Sequence, residues 1–97
     1  MATSYPDYGT VSHATMRPQD LLPAFAAELE HWARENNSLE AHAPLIAEAR
    51  AVDPETETAE YILEELFDAL NEFAPPDAYF GAHPGDASDY GFWPAED

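Results

Sequence analysis

The stretch between residues 53 and 76 constrains this chain more than any other. Ile62, Leu63, Leu66, Phe67, Leu70 and Phe73 recur at steps of three and four, the period of one buried helical face. Pro75 and Pro76 cannot continue a helix and stop it. At the other end Asp53 is expected to cap, with Pro54 in the first helical position and Glu55 and Glu57 favoured by the positive end of the helix dipole. A helix this amphipathic must cover its apolar stripe, so the rest of the chain has to supply the cover.

Two earlier segments can do so. Leu22, Phe25, Ala26, Leu29, Trp32 and Ala33 keep the same period. This helix is opened either by Asp20 as a cap with Pro23 in the first turn, or by Pro18 with a kink at Pro23. Asn36 and Asn37 suit its end, because Asn tolerates the left-handed backbone that a C-terminal cap needs. Ser38 offers an N-cap for a shorter helix carrying Leu39, His42, Leu45, Ile46 and Ala49 on one side, with Pro44 expected to bend or restart it.

The ends read differently. Residues 1–15 lack a helical period and read as an extended arm, in which 8–13 can form an edge strand. After Pro76 the composition turns to aromatic residues and glycine. Residues 78–82 and 89–93 read as two short strands joined by a six-residue connection, His83 to Ser88. A lone hairpin is marginal in water, so Tyr79, Phe80, Tyr90, Phe92 and Trp93 should pack in part on the helices. The expected fold is α+β, mainly α: one domain with a three-helix body (18–52 and 53–74), a C-terminal hairpin (77–94) and an N-terminal edge strand.

Charge narrows the function. The 97 residues carry 20 acids against 3 basic residues, a formal net charge of -17. Phosphate contacts need Lys or Arg, and only Arg17, Arg34 and Arg50 are present, so direct binding to nucleic acid or to an anionic membrane is not expected. No apolar run approaches the roughly 20 residues of a membrane span, and the opening MATSYPDYGT lacks the regions of a signal peptide. The absence of Cys excludes disulfides and thiolate metal sites and fits a reducing compartment, so a cytoplasmic setting is expected.

The acids are unevenly placed: residues 51–97 hold 13 of them and no Lys or Arg. Glu57, Glu60, Glu64, Asp68 and Glu72 follow one another at steps of three or four and form a stripe opposite the apolar one, widened by Glu65, Asp53 and Glu55. At 1.5 Å per residue it runs roughly 22 Å. Like charges four apart cost roughly 0.2 to 0.5 kcal/mol per pair, whereas an ordinary surface helix interleaves lysines and gains. A solvated face kept acidic for solubility is the commonest reason for one acidic helix. Here the whole second half lacks a compensating base, which points instead to a partner with a basic surface, approached rapidly and in a salt-sensitive way. DNA carries a charge every ~1.7 Å of axis, so a mimic of it would also need acids from other helices, such as Glu28, Glu35, Glu40 and Glu48. Adaptation to high salt is the competing explanation of the charge.

Chemistry has less support. His83, Asp86 and Asp89 are spaced by threes and imitate a metal triad, yet HisProGlyAsp is at least as good a turn, so no metal or other cofactor is expected. Ser12 and His13 are neighbours on an extended segment and point apart, and no phosphate-binding loop is present. An enzyme is the least favoured class. If the tail aromatics are partly exposed, Tyr90 and Trp93 beside carboxylates make a binding hot spot; Tyr5 and Tyr8 can serve either core or partner.

Two stretches, TVSHATMRPQDLLPAF at 10–25 and YFGAHPGDASDYGFWP at 79–94, resemble small acidic proteins of bacterial phages, prophages and other mobile elements. They cover about a third of the chain, and the second is the more specific. The resemblance implies a setting inside a host cell and a role as an inhibitor of host machinery, of the anti-CRISPR or anti-restriction type that acts as a DNA mimic. The expected partner is then a basic nucleic-acid-binding protein of the host, met through Glu57, Glu60, Glu64, Glu65, Asp68, Glu72, Tyr90 and Trp93. The alternatives are a small adaptor that docks through its aromatic hairpin and a salt-adapted structural domain.

Overall fold

Each helix begins and ends where local chemistry requires. The computed structural model describes residues 9–94, so Tyr5 and Tyr8 lie outside the described residues. Helix α1 spans Pro18–Glu35 with Pro18 in its first turn, the second of the two expected openings. Thr15 ties this start together: its hydroxyl donates to Asp20 Oδ2 at 2.7 Å and accepts the Arg17 N–H at 3.2 Å. Pro23 falls inside the helix. At the far end Asn37 takes a left-handed backbone (φ 58°), the Ser38 N–H donates to the Ala33 carbonyl at 2.7 Å and the Asn37 N–H to the Arg34 carbonyl at 3.3 Å, the paired bonds of a Schellman cap.

Helix α2 spans Leu39–Ala51 and runs through Pro44 as one element. Ser38 precedes it, but its hydroxyl donates back to the Ala33 carbonyl at 3.4 Å instead of capping α2. Helix α3 spans Glu57–Phe73, three residues later than Asp53 would have begun it. Asp53 organises a preceding turn: its carboxylate accepts the Glu55 N–H at 3.0 Å and its carbonyl accepts the Thr56 hydroxyl at 2.7 Å. That turn presents Thr56 as the N-cap, whose Oγ1 accepts the Ala59 N–H. Asp and Thr compete for the same role, and the residue nearer the apolar stripe wins.

Three strands, β1 (Gly9–Ser12), β2 (Ala78–His83) and β3 (Asp86–Pro94), form an antiparallel sheet in the order β1-β3-β2. The edge strand and the hairpin expected from the sequence are both present. The hairpin connection is tighter than expected, because His83 pairs with Asp86 and only Pro84 and Gly85 turn the chain. The register then jumps from His83↔Asp86 to Ala82↔Tyr90, so residues 87–89 bulge from β3. Beside it β1 has its own irregularity between Thr10 and Ser12. At Gly91 the two strands approach so closely that a Cβ would stand 2.0 Å from the Gly9 carbonyl oxygen.

Helices and sheet share one core. Phe25, fully buried, meets Phe67, Phe80 and Tyr90 edge-on at centroid distances of 5.2, 5.1 and 5.6 Å, and Phe80 meets Phe92 at 5.0 Å. Leu29, Ile46, Leu66 and Leu70 continue it between the helices. Phe67, half-buried, also touches the Tyr90 ring at 5.7 Å, so the expected α+β, mainly α, fold is closed by aromatic contacts that join its two layers. The principal extents of 37 × 34 × 18 Å fit such a two-layer slab.

Candidate functional site

Packing decides which side of α3 faces out. Ala59, Ile62, Leu66, Ala69, Leu70 and Phe73 are buried on one side. Glu57, Glu60, Glu64, Glu65, Asp68 and Glu72 are all exposed on the other. The stripe read from the spacing is therefore a continuous solvent face of a single rigid element.

Tyr61, 67% exposed, stands within this face, and nothing in the stripe reading marked it. It lies four residues after Glu57, three before Glu64 and four before Glu65, the separations at which helical side chains are neighbours. With Glu57, Glu60 and Glu64 it lines a shallow depression of about 220 Å³. The signal was available: Tyr61 falls outside the Ile62, Leu66, Ala69 and Phe73 series, so on an amphipathic helix it must point toward water.

The cations lie elsewhere. Arg50 of α2 donates to Glu30 of α1 at 2.9 Å, and Arg34 approaches the other oxygen of the same carboxylate at 3.5 Å. The Arg50 hydrogen bond and charge, with Arg34 adding to the charge, hold the Glu30 carboxyl below the usual carboxylate range. Two of the three basic residues are thus spent on one acid of α1. Among the described residues no ion pair involves an acid of α3. Glu28 is also engaged, accepting the Trp32 indole N–H at 2.6 Å, whereas Glu35, Glu40 and Glu48 are exposed.

The two aromatic residues expected at the interface have different fates. Tyr90 is only 9% exposed and packs on Phe25 and Phe67, so its ring belongs to the core, and the expectation of a partner contact there is corrected. Register gives the reason: Tyr90 pairs with Ala82 on the inner face of the hairpin, the face that meets the helices. Trp93 is on the outer face and half-buried, its indole N–H donating to the Gly81 carbonyl at 3.0 Å and its ring standing edge-on to His83 at 4.6 Å. His83 is further occupied by accepting the Gly85 N–H on Nδ1 at 2.9 Å. In the adjoining bulge the Ser88 N–H and hydroxyl both donate to Asp86 Oδ1, and these bonds hold the Asp86 carboxyl below its ordinary range.

Comparison of the chain with protein-family models, with curated proteins and with solved structures finds no match. Among the described residues no helix is long and apolar enough to cross a membrane.

Proposed function

We propose that this chain is an acidic binding protein that occupies the basic nucleic-acid site of another protein, as a DNA-mimic inhibitor of the anti-CRISPR or anti-restriction kind. The observation that carries this reading is the α3 face: six exposed carboxylates on one helix, with no ion pair among the described residues, while Arg34 and Arg50 converge on Glu30. Holding like charges side by side costs the helix stability, and a partner's Lys and Arg side chains would turn that repulsion into attraction. Tyr61, near the N-terminal end of the face, supplies an amphipathic anchor of the kind that dominates binding energy at interfaces. The resemblance of 10–25 and 79–94 to phage and mobile-element proteins supports a setting in the cytoplasm of a bacterial host. The inward-facing Phe80, Tyr90 and Phe92 favour charge over the hairpin as the docking element.

The test uses preformed complexes of a fluorescent DNA duplex with a panel of bacterial restriction and CRISPR nucleases. The protein is expected to release duplex from at least one of them, less effectively as salt rises, and the triple variant Glu60→Lys, Glu64→Lys, Asp68→Lys should fail while keeping its helical circular dichroism. Release by the triple variant equal to that by the parent protein would overturn the reading. Loss of activity on substituting Trp93 alone, with the charge reversals tolerated, would assign the adaptor role instead.

A further inference from the structure

The corner where β1 meets the hairpin gathers a mixed set of ligand groups that the sequence keeps far apart. His13 follows β1, Asp86 stands just before the bulge of β3 and Asp89 is its last residue. One nitrogen or carboxylate oxygen from each of the three lies within 4.8 Å of the others, and His13 Nδ1 is 3.8 Å from Asp89 Oδ1. We propose that His13, Asp86 and Asp89 form a binding site for a single divalent metal ion of the zinc or manganese class, with water completing the coordination.

The donor set suits such an ion: imidazole nitrogen favours zinc and its neighbours, carboxylate oxygen manganese, and two acids with one neutral imidazole match a double positive charge. A tetrahedral shell at ~2.1 Å separates ligand atoms by roughly 3.4 Å, so closure needs about an ångström of side-chain rotation. His13 is exposed and can make it. The carboxylates are already aimed from outside. The Thr10 hydroxyl donates to Asp89 Oδ1 at 2.7 Å, and both Ser88 donors hold Asp86 Oδ1, which fixes how each carboxylate is turned. This is the supporting shell that metal ligands use to fix their orientation. Both irregularities of the sheet, at Thr10/Ser12 and at Ala82/His83, fall beside the cluster, and bulges of this kind re-aim side chains. No described Arg is within ion-pair distance of Asp86 or Asp89, and the net charge of -17 raises the local concentration of any cation.

The site differs from the triad suggested by spacing alone. His83 is the residue three before Asp86, but its Nδ1 accepts the Gly85 N–H and its ring is held against Trp93. His13, 76 residues before Asp89, takes its place. A bound ion would fasten the edge strand β1 to the hairpin.

Calorimetric titration of the full chain with Zn²⁺, repeated with Mn²⁺, tests the site. One saturable ion per chain is expected, with a shift of the His13 imidazole resonances in the NMR spectrum. His13→Gln and Asp89→Asn should each lower affinity at least tenfold, and Thr10→Val, which removes a supporting hydrogen bond, roughly tenfold. His83→Gln should retain binding, as should Glu60→Gln/Glu64→Gln/Asp68→Asn, which neutralises the α3 face. Binding lost with His83→Gln but kept with His13→Gln would overturn the proposal in favour of the other histidine. Diffuse uptake of several ions that disappears with the α3 variant, or no heat with either ion, would overturn it outright. Unchanged circular dichroism in each variant separates loss of ligand from loss of fold.

Discussion

Asn71 of α3 brackets Phe80 of β2: its amide nitrogen donates to the Phe80 carbonyl at 3.0 Å, and its amide oxygen accepts the Phe80 N–H at 2.8 Å. One side chain thereby pairs the outer edge of β2 as a neighbouring strand would, and locks the hairpin to the acidic helix. The same nitrogen also donates to the Phe67 carbonyl within α3, which fixes the amide's orientation. Asn71→Leu should leave both Phe80 backbone groups unpaired. An unpaired buried polar group costs about 1 to 3 kcal/mol, so a loss of about 2 kcal/mol is expected in chemical denaturation. Asn71→Asp, which keeps the acceptor and loses the donor, should fall between Leu and the parent.

Gly91 is a second point at which the sheet depends on one atom. A Cβ there meets the Gly9 carbonyl oxygen at 2.0 Å, so Gly91→Ala must push β1 away. The expected cost is about 1 to 3 kcal/mol, the range for forced overpacking. Hydrogen exchange should localise it: protection at β1 is lost, while the amides of α1 and α3 keep theirs.

Tyr61 and Tyr90 should separate stability from binding. Tyr90→Ala removes a ring packed on Phe25 and Phe67 and is expected to cost about 3 kcal/mol or more. Tyr61→Ala should change stability by less than about 0.5 kcal/mol, as exposed substitutions do, while weakening the partner complex. Urea denaturation of the two variants beside duplex-release assays checks both halves.

Reversal of one central charge should make the isolated protein more stable. Glu64→Lys converts two repulsive pairs, with Glu60 and Asp68, into attractive ones, and at roughly 0.2 to 0.5 kcal/mol for each term the gain is about 1 kcal/mol. In a domain of this size that raises Tm by roughly 4 to 8 °C, and the gain should shrink at high salt. A variant that is more stable and less active would mark the acidic face as kept for binding at the expense of the fold.

Acid should weaken the link between α1 and α2. The folded-state pKa of Glu30 is depressed by Arg50 and Arg34, so its contribution is present above the ordinary carboxylate pKa and is lost as pH falls through the lower folded value. Glu30→Gln should therefore destabilise at pH 7, and its difference from the parent should shrink on acidification to pH 2. Denaturation curves at the two pH values measure that difference directly, and because the pair is exposed the effect should be small.

Local patterns carried much of this protein into view. The α3 stripe follows from side-chain spacing, and its exposure needs only that the opposite side be buried. Pro75 and Pro76, the left-handed Asn37 and Pro18 in the first turn each act within a few residues, so the chain announces them. Where two local signals competed, as Asp53 and Thr56 did for the α3 cap, the outcome turned on which one met the packed stripe. Tyr90 and Trp93, three residues apart on one strand, must face opposite sides, but that alternation does not say which side meets the helices. Register placed Tyr90 inward and Trp93 outward, and made one a core residue.

The sequence by itself determined that the chain is polarised, because the count and order of its acids cannot change on folding. Only the tertiary structure decided what each charge meets. Arg50 reaches Glu30 across two helices, Asn71 reaches Phe80 across the edge of a sheet, and His13 reaches Asp89 across most of the chain. Such encounters depend on distances set by packing, which spacing along the backbone does not encode.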